Sequence, residues 1–159
     1  MMTASLARLL RQSISNEDEV VPLAREVEYA KGYLTIQKMR YKDKLEFEID
    51  VEPSILNIPL IKLVLQPIIE NAIYHGLKYK ESKGLLQVKG FMKDGNAVLQ
   101  VIDNGVGMDE ETLSHIYDKH KVNYHSNGVG VYNVQKRLKL YYGENYGITY
   151  ESEKGVGTT

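Results

Sequence analysis

The chain contains no cysteine, and only four of its residues are proline. The lack of cysteine excludes disulfide bonds and thiolate metal sites, and it is typical of a reducing compartment. Histidine, aspartate, glutamate and asparagine remain as possible metal ligands. The longest apolar stretch, residues 58–69, is interrupted by proline, lysine and glutamine. It is shorter than the run of about 20 apolar residues that a membrane span needs, so no span is predicted.

The charges of the chain also lack an excess of either sign, with 20 Lys and Arg against 21 Asp and Glu and a net charge of -1. Nucleic acid is therefore not expected as a partner. The first residues show neither a basic leader nor a long apolar segment, so no signal peptide is predicted. We expect a soluble, cytoplasmic fragment whose 159 residues build one core. Residues 155–159 read like a turn that enters a strand, and we expect both ends to be boundaries within a longer chain.

The spacing of apolar residues predicts alternating helices and strands. The expected helices cover residues 6–14, 23–39, a short piece from Pro59, 67–77, 109–118 and 128–141. The expected strands cover residues 45–51, 86–91, 97–102 and 147–152. The sequence Lys-Asp-Gly-Asn at 93–96 predicts a hairpin between the second and third strands. Residues 108–127 are predicted to be mainly a loop.

Three separated segments carry polar residues and glycines that suit a nucleotide. On the helix 67–77, Asn71 and His75 are four residues apart and therefore lie on one face. An amide oxygen at Asn71 can bind Mg²⁺, which needs only one or two protein oxygens when nucleotide phosphates supply the rest. A lone asparagine on a helix is more often structural.

The second and third segments are glycine-rich. Asp103 ends an apolar strand, where its carboxylate needs a donor such as an adenine amine, and Gly105 and Gly107 let the backbone approach a base closely. Gly128 and Gly130 open a helix whose N-terminal amides suit phosphate oxygens. Taken alone, each segment is also compatible with an ordinary turn. A Walker-type P-loop and a dinucleotide fingerprint are both absent from the sequence.

Four segments together resemble the Bergerat, or GHKL, ATPases, in the form found in bacterial sensor histidine kinases of the LytS/YesM type. LQPIIENAIYHGL at 65–77 resembles the N box, DNGVGM at 103–108 the G1 box, and NGVGVYNVQKRL at 127–138 the G2 box. EYAKGYLTIQKMRY at 28–41 is similar to the segment that precedes the ATPase domain. The resemblance implies an α+β sandwich in which helices cover one face of a mixed or antiparallel sheet. It also implies a division into a helical remnant of the dimerisation region, 1–42, and the ATPase domain, 43–159.

The resemblance implies a role for each box residue, with ATP and Mg²⁺ as the ligands. Asn71 would bind Mg²⁺, Asp103 would accept the adenine amine, and His75 would contact the nucleotide. Glu70 would be a catalytic base or a polar positioning group. The remaining expected ATP-binding residues are Gly105, Gly107, Met108, Asn127, Gly128, Val129, Gly130, Val131 and Thr158. Residues 108–127 would form a lid over the nucleotide.

Two departures from the family pattern concern the phosphoryl chemistry. Tyr74 stands where many histidine kinases have a lysine, so the cation that meets the phosphates is open between Lys78, Lys80, Lys119, Lys121 and Lys136. The phospho-accepting histidine of this subclass should precede Leu6, and no such pattern is present there. His75, His115, His120 and His125 all lie within or beyond the N box.

The leading prediction is therefore the ATP-binding catalytic domain of a sensor histidine kinase, unable to phosphorylate itself. In the parent protein, expected in the bacterial membrane with this domain in the cytoplasm, a homodimer would pass phosphate to a response regulator of the LytTR or AraC type. The alternatives are a hydrolytic GHKL ATPase and a regulatory module that only binds nucleotide.

Overall fold

The computed structural model describes residues 19–80, 82–115 and 128–159. Its helices are α1 (Leu23–Tyr41), α2 (Leu65–Asn71), α3 (Glu110–His115) and α4 (Gly128–Tyr142). Short 3₁₀ turns occupy Lys42–Lys44 and Pro53–Ile55. A π-helical turn, Ala72–Leu77, continues α2. The predicted helix at 6–14 lies outside the described residues.

Seven short or medium strands form two sheets in the described part of the chain. They are β1 (Val20–Pro22), β2 (Leu45–Val51), β3 (Pro59–Ile61), β4 (Gly84–Lys93), β5 (Asn96–Asp103), β6 (Ser152–Glu153) and β7 (Gly157–Thr158). The five-stranded sheet has the order β2-β4-β5-β7-β6, with β2 parallel to β4 and the other pairs antiparallel. The sheet is mixed, which confirms the expected α+β fold.

The main core lies between this sheet and the two helices α1 and α2. Leu34 from α1, Ile69 from α2 and Leu86 from β4 are fully buried and belong to one apolar cluster. A second cluster joins α4 to the segment before α2, through Val134 and Val64 among others. Packing of both helices on one sheet face fixes where α2, which carries Asn71, stands relative to the end of β5.

The sequence pattern predicted most of these elements. Glu46, Glu48 and Asp50 on β2 are exposed, as their alternation with apolar residues indicated. The hairpin turns at Asp94 and Gly95, both of which have positive φ angles of 50° and 80°. The helix over 109–118 is described as far as His115, and residues 116–127, the rest of the predicted lid segment, lie outside the described residues.

Two predictions of secondary structure were wrong. The segment from Pro59 is the strand β3, which pairs antiparallel with β1 through Val20 and Ile61, and it is not helical. The last predicted strand, 147–152, contains regular strand only from Ser152 onward. The division at residue 42 stays a prediction, although Leu23, Ala30 and Leu34 of α1 share the core of the ATPase sheet.

In the described ranges, none of the helices combines the length and the apolar character that crossing a lipid bilayer would require.

Candidate nucleotide-binding site

Asp103 is the last residue of β5 and one of the few buried charged groups, with 6% of its surface exposed. Its Oδ1 accepts a hydrogen bond from the Gly105 amide at 2.8 Å. The Thr158 amide also donates to the carboxylate, because β7 pairs with β5 at this residue. Burial raises the pKa of Asp103, and the two amides and the charge of Lys80 lower it by less. The carboxylate is therefore a fixed acceptor in a poorly solvated place.

Gly76 is in direct contact with this carboxylate. A Cβ atom at residue 76 would lie 2.6 Å from Asp103 Oδ1 and 2.9 Å from its Cγ. The Gly76 carbonyl accepts a hydrogen bond from the Val106 amide at 3.1 Å, and a Cβ atom at Gly105 would collide with the Gly76 backbone. The N box and the G1 box are thus packed backbone against backbone, which requires glycine at both positions.

The loop after Asp103 is held against the turn between β6 and β7. Gly107 has a φ angle of 62°, and a side chain there would collide with the Glu153 carbonyl. The Met108 amide donates to Ser152 Oγ at 2.9 Å, and this hydroxyl lies 2.8 Å from Thr158 Oγ1. Gly107, Met108 and Thr158, three of the predicted ATP-binding residues, are therefore brought together.

Asn71 is the last residue of α2 and His75 lies in the π-helical turn that follows, and both line a cavity that Asp103 also lines. The π-helical turn closes with a hydrogen bond from the Lys78 amide to the Ile73 carbonyl at 2.9 Å. Wider turns of this kind are often found at functional sites. Here the turn contains His75 and places Gly76 in contact with the Asp103 carboxylate.

Glu70 lies beside Asn71 in the chain but has different surroundings. Its Oε1 accepts a hydrogen bond from Gln66 Nε2 at 2.9 Å. Its charge also contributes to the raised pKa of Tyr33, for which burial is the first cause. Glu70 is absent from the residues that line the cavity described next.

A cavity of about 650 Å³ lies between α2 and the sheet. This size is ordinary for a small-molecule site. Six predicted site residues line it, namely Asn71, His75, Asp103, Gly107, Met108 and Thr158. Much of the remaining lining is apolar and includes Ile68, Leu99, Val101, Leu138 and Ile148. An adenine ring would find apolar walls and one buried acceptor at Asp103.

Helix α4 begins at Gly128, as the G2 segment predicted. A Cβ atom at Gly130 would be 3.5 Å from the Cβ of Pro67, so the start of α4 lies close to the start of α2. Val131 is 4% exposed and packs inward, which leaves its backbone as the part that could meet a ligand. Asn127 lies outside the described residues.

The lysines that are candidates for the cation at the phosphates differ in what they contact. Lys80 Nζ donates to the Asn104 carbonyl, and its charge lowers the pKa of the neighbouring Asp103. The ammonium group of Lys78 lies 5.5 Å from the centre of the Tyr79 ring, and Lys136 is exposed on α4. Lys119 and Lys121 lie outside the described residues.

A resident metal centre built from the protein alone is not found among the described residues, where no three His, Asp or Glu side chains are grouped. The donor chemistry at Asn71 fits a different arrangement. Its amide is a single hard oxygen ligand on the cavity wall, which suits a Mg²⁺ ion that is otherwise held by phosphates and water.

Two residues that support the site were missed in the sequence. Asn104 Oδ1 accepts from the Leu85 amide at 2.8 Å, and its own amide donates to the Leu85 carbonyl at 3.2 Å. Ser152 joins the G1 loop to β7, as described above. Neither has a local signal beyond its residue type, because the partners are distant in the chain.

Comparison with known proteins gives a consistent result. The model of the histidine kinase-, DNA gyrase B- and HSP90-like ATPase family matches residues 57–159, and a histidine kinase model matches residues 1–45. The sensor histidine kinase YesM of Bacillus subtilis is 32% identical over 99% of this chain and 26% of its own length. The sensor protein LytS of Oceanobacillus iheyensis is 34% identical over 88% of this chain and 24% of its own length.

Solved structures show the same fold at low sequence identity. The histidine kinase domain of a blue-light activated kinase from Erythrobacter litoralis has a TM-score of 0.61 and 16% identity, over 99% of this chain and 69% of that chain. The Acinetobacter baumannii histidine kinase AdeS has a TM-score of 0.61 and 18% identity, over 99% of this chain and 72% of that chain. The chain spans about a quarter of the length of the two curated relatives above. It belongs to the family of histidine kinase-, DNA gyrase B- and HSP90-like ATPases, in the branch of the sensor histidine kinases.

Proposed function

We propose that this chain binds Mg-ATP and serves as the catalytic domain that donates the γ-phosphoryl group to a histidine of a sensor kinase. The observation that supports this most strongly is the buried Asp103 carboxylate at the wall of a cavity that Asn71 and His75 also line. Two segments far apart in the sequence, the N box and the G1 box, supply these groups. The parent kinase would be a homodimer that passes phosphate to a response regulator, with the LytTR or AraC type as our expectation.

Asp103 would recognise the base. Its carboxylate already accepts two backbone amides, which hold it in place, and the exocyclic amine of adenine would be a further donor. Guanine presents a carbonyl oxygen where adenine has this amine, so a carboxylate there would repel it. The site is therefore expected to prefer ATP and ADP to GTP.

Asn71 would hold Mg²⁺ together with the phosphates, and the first amides of α4 would meet phosphate oxygens. When bound, the metal ion neutralises charge on the phosphates. The protein itself contributes positioning and charge stabilisation, which is most of what phosphoryl transfer requires. The G2 residues Gly128, Val129, Gly130 and Val131, with Asn127, stay predicted phosphate contacts.

The role of Glu70 as a catalytic base stays a prediction, and the contacts support the alternative role. Its carboxylate is bonded to Gln66 and lies near Tyr33, on the side of α2 that faces α1. We propose that Glu70 is a polar positioning group of the N box. A histidine substrate also has less need of a base than water, because the neutral imidazole is already a nucleophile.

A thermal-shift titration tests the nucleotide site. Mg-ATP and ADP are expected to raise the melting temperature of the wild-type chain, and GTP much less, because a ligand bound only to the folded state stabilises it. Asp103→Asn is expected to lower the affinity for ATP by about ten- to a hundredfold, which corresponds to the loss of one hydrogen bond to a charged group. Asp50→Asn, on the exposed face of β2, is the matched control and is expected to bind as the wild type does. Equal shifts with ATP and GTP, unaffected by Asp103→Asn, would contradict the assignment.

A further inference from the structure

Glu26, on the first turn of α1, is 2% exposed, and its carboxylate contacts the start of the N-box helix. Its Oε1 accepts from the Leu63 amide at 2.8 Å. Its Oε2 accepts from the amides of Val64 at 2.9 Å and Leu65 at 3.1 Å. Three consecutive backbone donors therefore meet one carboxylate from a different helix. A buried charge is tolerated only when it is paired in this way.

This contact replaces a local helix cap. Val64, the residue that precedes α2, has no side-chain hydrogen bond to the first turn. The first amides of any helix need acceptors and carry a partial positive charge, and Glu26 supplies a negative one. Leu63 has a φ angle of 62°, which is unfavourable for leucine and turns its amide toward the carboxylate. The backbone at 63–65 is thus held in its shape from α1.

The same short segment also contacts the G2 helix. Arg137 Nη2 on α4 donates to the Lys62 carbonyl at 2.9 Å, directly before the residues that Glu26 holds. The turn at 62–65 is therefore fixed on one side by α1 and on the other by α4. Its position decides where α2 starts.

A second polar contact between α1 and the N box lies two turns further along α1. Burial, the charge of Glu70 and the neighbouring Tyr74 all raise the pKa of Tyr33, so the Tyr33 side chain lies close to these two N-box residues; Tyr74 follows Asn71 by less than one turn. Residues 26 and 33 are seven apart and lie on one side of α1. Polar contacts at both ends of the N box therefore join it to α1, with the apolar core between them.

We propose that Glu26 is a positioning residue, which sets the register of the N-box helix against α1 and thereby places Asn71 at the phosphate end of the cavity. This inference rests on the proposed function, in which Asn71 binds Mg-ATP. It gives α1, which contains the 28–41 segment, a physical role, since a movement of α1 would be transmitted to Asn71 through Glu26. Asp103 stands on β5 and is not attached to this contact.

The test compares two ligands that depend on different elements. Adenosine uses the base pocket around Asp103, whereas Mg-ATP also uses Asn71. Glu26→Gln replaces one acceptor oxygen by an NH₂ group that cannot accept from the three amides. We expect the affinity for Mg-ATP to fall by about tenfold, the usual effect of removing a group that orients a metal ligand. The affinity for adenosine is expected to change by less than twofold.

Two further variants make the comparison sharp. Glu28→Gln, on the exposed face of the same helix, is the matched control and is expected to leave both affinities unchanged. Glu26→Asp keeps the charge but withdraws it by one methylene. It is expected to lower the affinity for Mg-ATP relative to that for adenosine, without unfolding the domain. In NMR spectra, the amide protons of residues 63–65 are expected to move upfield in both Glu26 variants as their hydrogen bonds lengthen.

The outcomes separate the two proposals. Wild-type chain that binds neither adenosine nor Mg-ATP contradicts the proposed function, while the amide shifts still report whether Glu26 holds the turn. Wild-type binding with an unchanged affinity ratio in both Glu26 variants overturns the positioning role, even if the melting temperature falls. An equal loss for both ligands also overturns it, because Glu26 would then support the whole domain and not Asn71.

Discussion

At the scale of single residues, the proposed nucleotide site depends on the ionised carboxylate of Asp103. Burial raises its pKa above the ordinary value of 3.8. At a pH between the ordinary pKa of the unfolded chain and the raised pKa of the folded chain, Asp103 keeps a proton in the folded state that it has lost in the unfolded state. The free energy of unfolding therefore falls as the pH rises through this window. Nucleotide binding at the proposed site would have the opposite dependence, since the ionised carboxylate is the stronger acceptor for the adenine amine.

We therefore expect the affinity for adenosine, which carries no titrating phosphate, to fall as the pH is lowered from 7 through the raised pKa of Asp103. Calorimetric titrations between about pH 7 and pH 4 measure it, over the range in which a displaced aspartate titrates. In Asp103→Asn this dependence is expected to disappear, because the amide does not titrate. If the substituted chain kept the same dependence on pH, another group would be responsible.

A second residue-scale prediction concerns Gly76. The Cβ atom of alanine would be 2.6 Å from Asp103 Oδ1, and that carboxylate is fixed by backbone amides. Gly76→Ala is expected to lower the free energy of unfolding by about 1–3 kcal/mol and to lower the affinity for adenosine at the same time. Urea unfolding and adenosine titration measure the two effects.

Gly32→Ala provides the control for Gly76→Ala. Gly32 lies inside α1, and a Cβ atom there meets no atom within 4 Å. Alanine is expected to stabilise this helix by about 0.5–1 kcal/mol through its helix propensity, with no effect on adenosine. Similar losses in both variants would show that the contact of Gly76 with Asp103 is not what matters.

At the scale of elements, local patterns predicted those structures whose cause is local. The alternation over β2, the Asp-Gly turn of the β4-β5 hairpin and the glycine pair at the start of α4 all act over a few neighbouring residues. The error at Pro59 has a non-local cause. Residues 59–61 form a strand because Val20 to Pro22, some 40 residues earlier, pair with them. No window around Pro59 contains that information.

The N-box helix shows the same limit in a functional element. Its amphipathic spacing predicted a helix at 67–77, and the structure has α2 followed by a π-helical turn. The wider turn coincides with the place where Gly76 meets Asp103 and where Tyr74 meets Tyr33. Both contacts involve other elements, so tertiary packing determines how this helix ends.

At the scale of the whole molecule, the predicted ATP site and the missing phospho-acceptor lead to a test of activity. Incubated with γ-labelled ATP and Mg²⁺, this chain alone is expected to gain no acid-labile phosphohistidine. Its four histidines lie within or beyond the N box and none stands in the expected acceptor pattern. Labelling is measured by filter binding with and without acid treatment. Label on a histidine of this chain would contradict the prediction.

Addition of a helical segment that carries the acceptor histidine of a similar kinase is the positive control for this experiment. Phosphate on that segment, at a rate that Asn71→Ala lowers, would support the kinase over a module that only binds nucleotide. Steady release of free phosphate without transfer would instead favour the hydrolytic alternative.

The sequence by itself determined the family, the three boxes and the mixed α+β class, because box residues and local periodicity are encoded in short stretches. It also predicted as site residues Asn71, His75, Asp103, Gly107, Met108 and Thr158, all of which line one cavity. Only the tertiary structure decided that Glu70 lies near Tyr33 of α1 and that Glu26 caps a helix 38 residues away. Those contacts are between elements, and their energy depends on burial and on the direction of backbone amides, which no local pattern specifies.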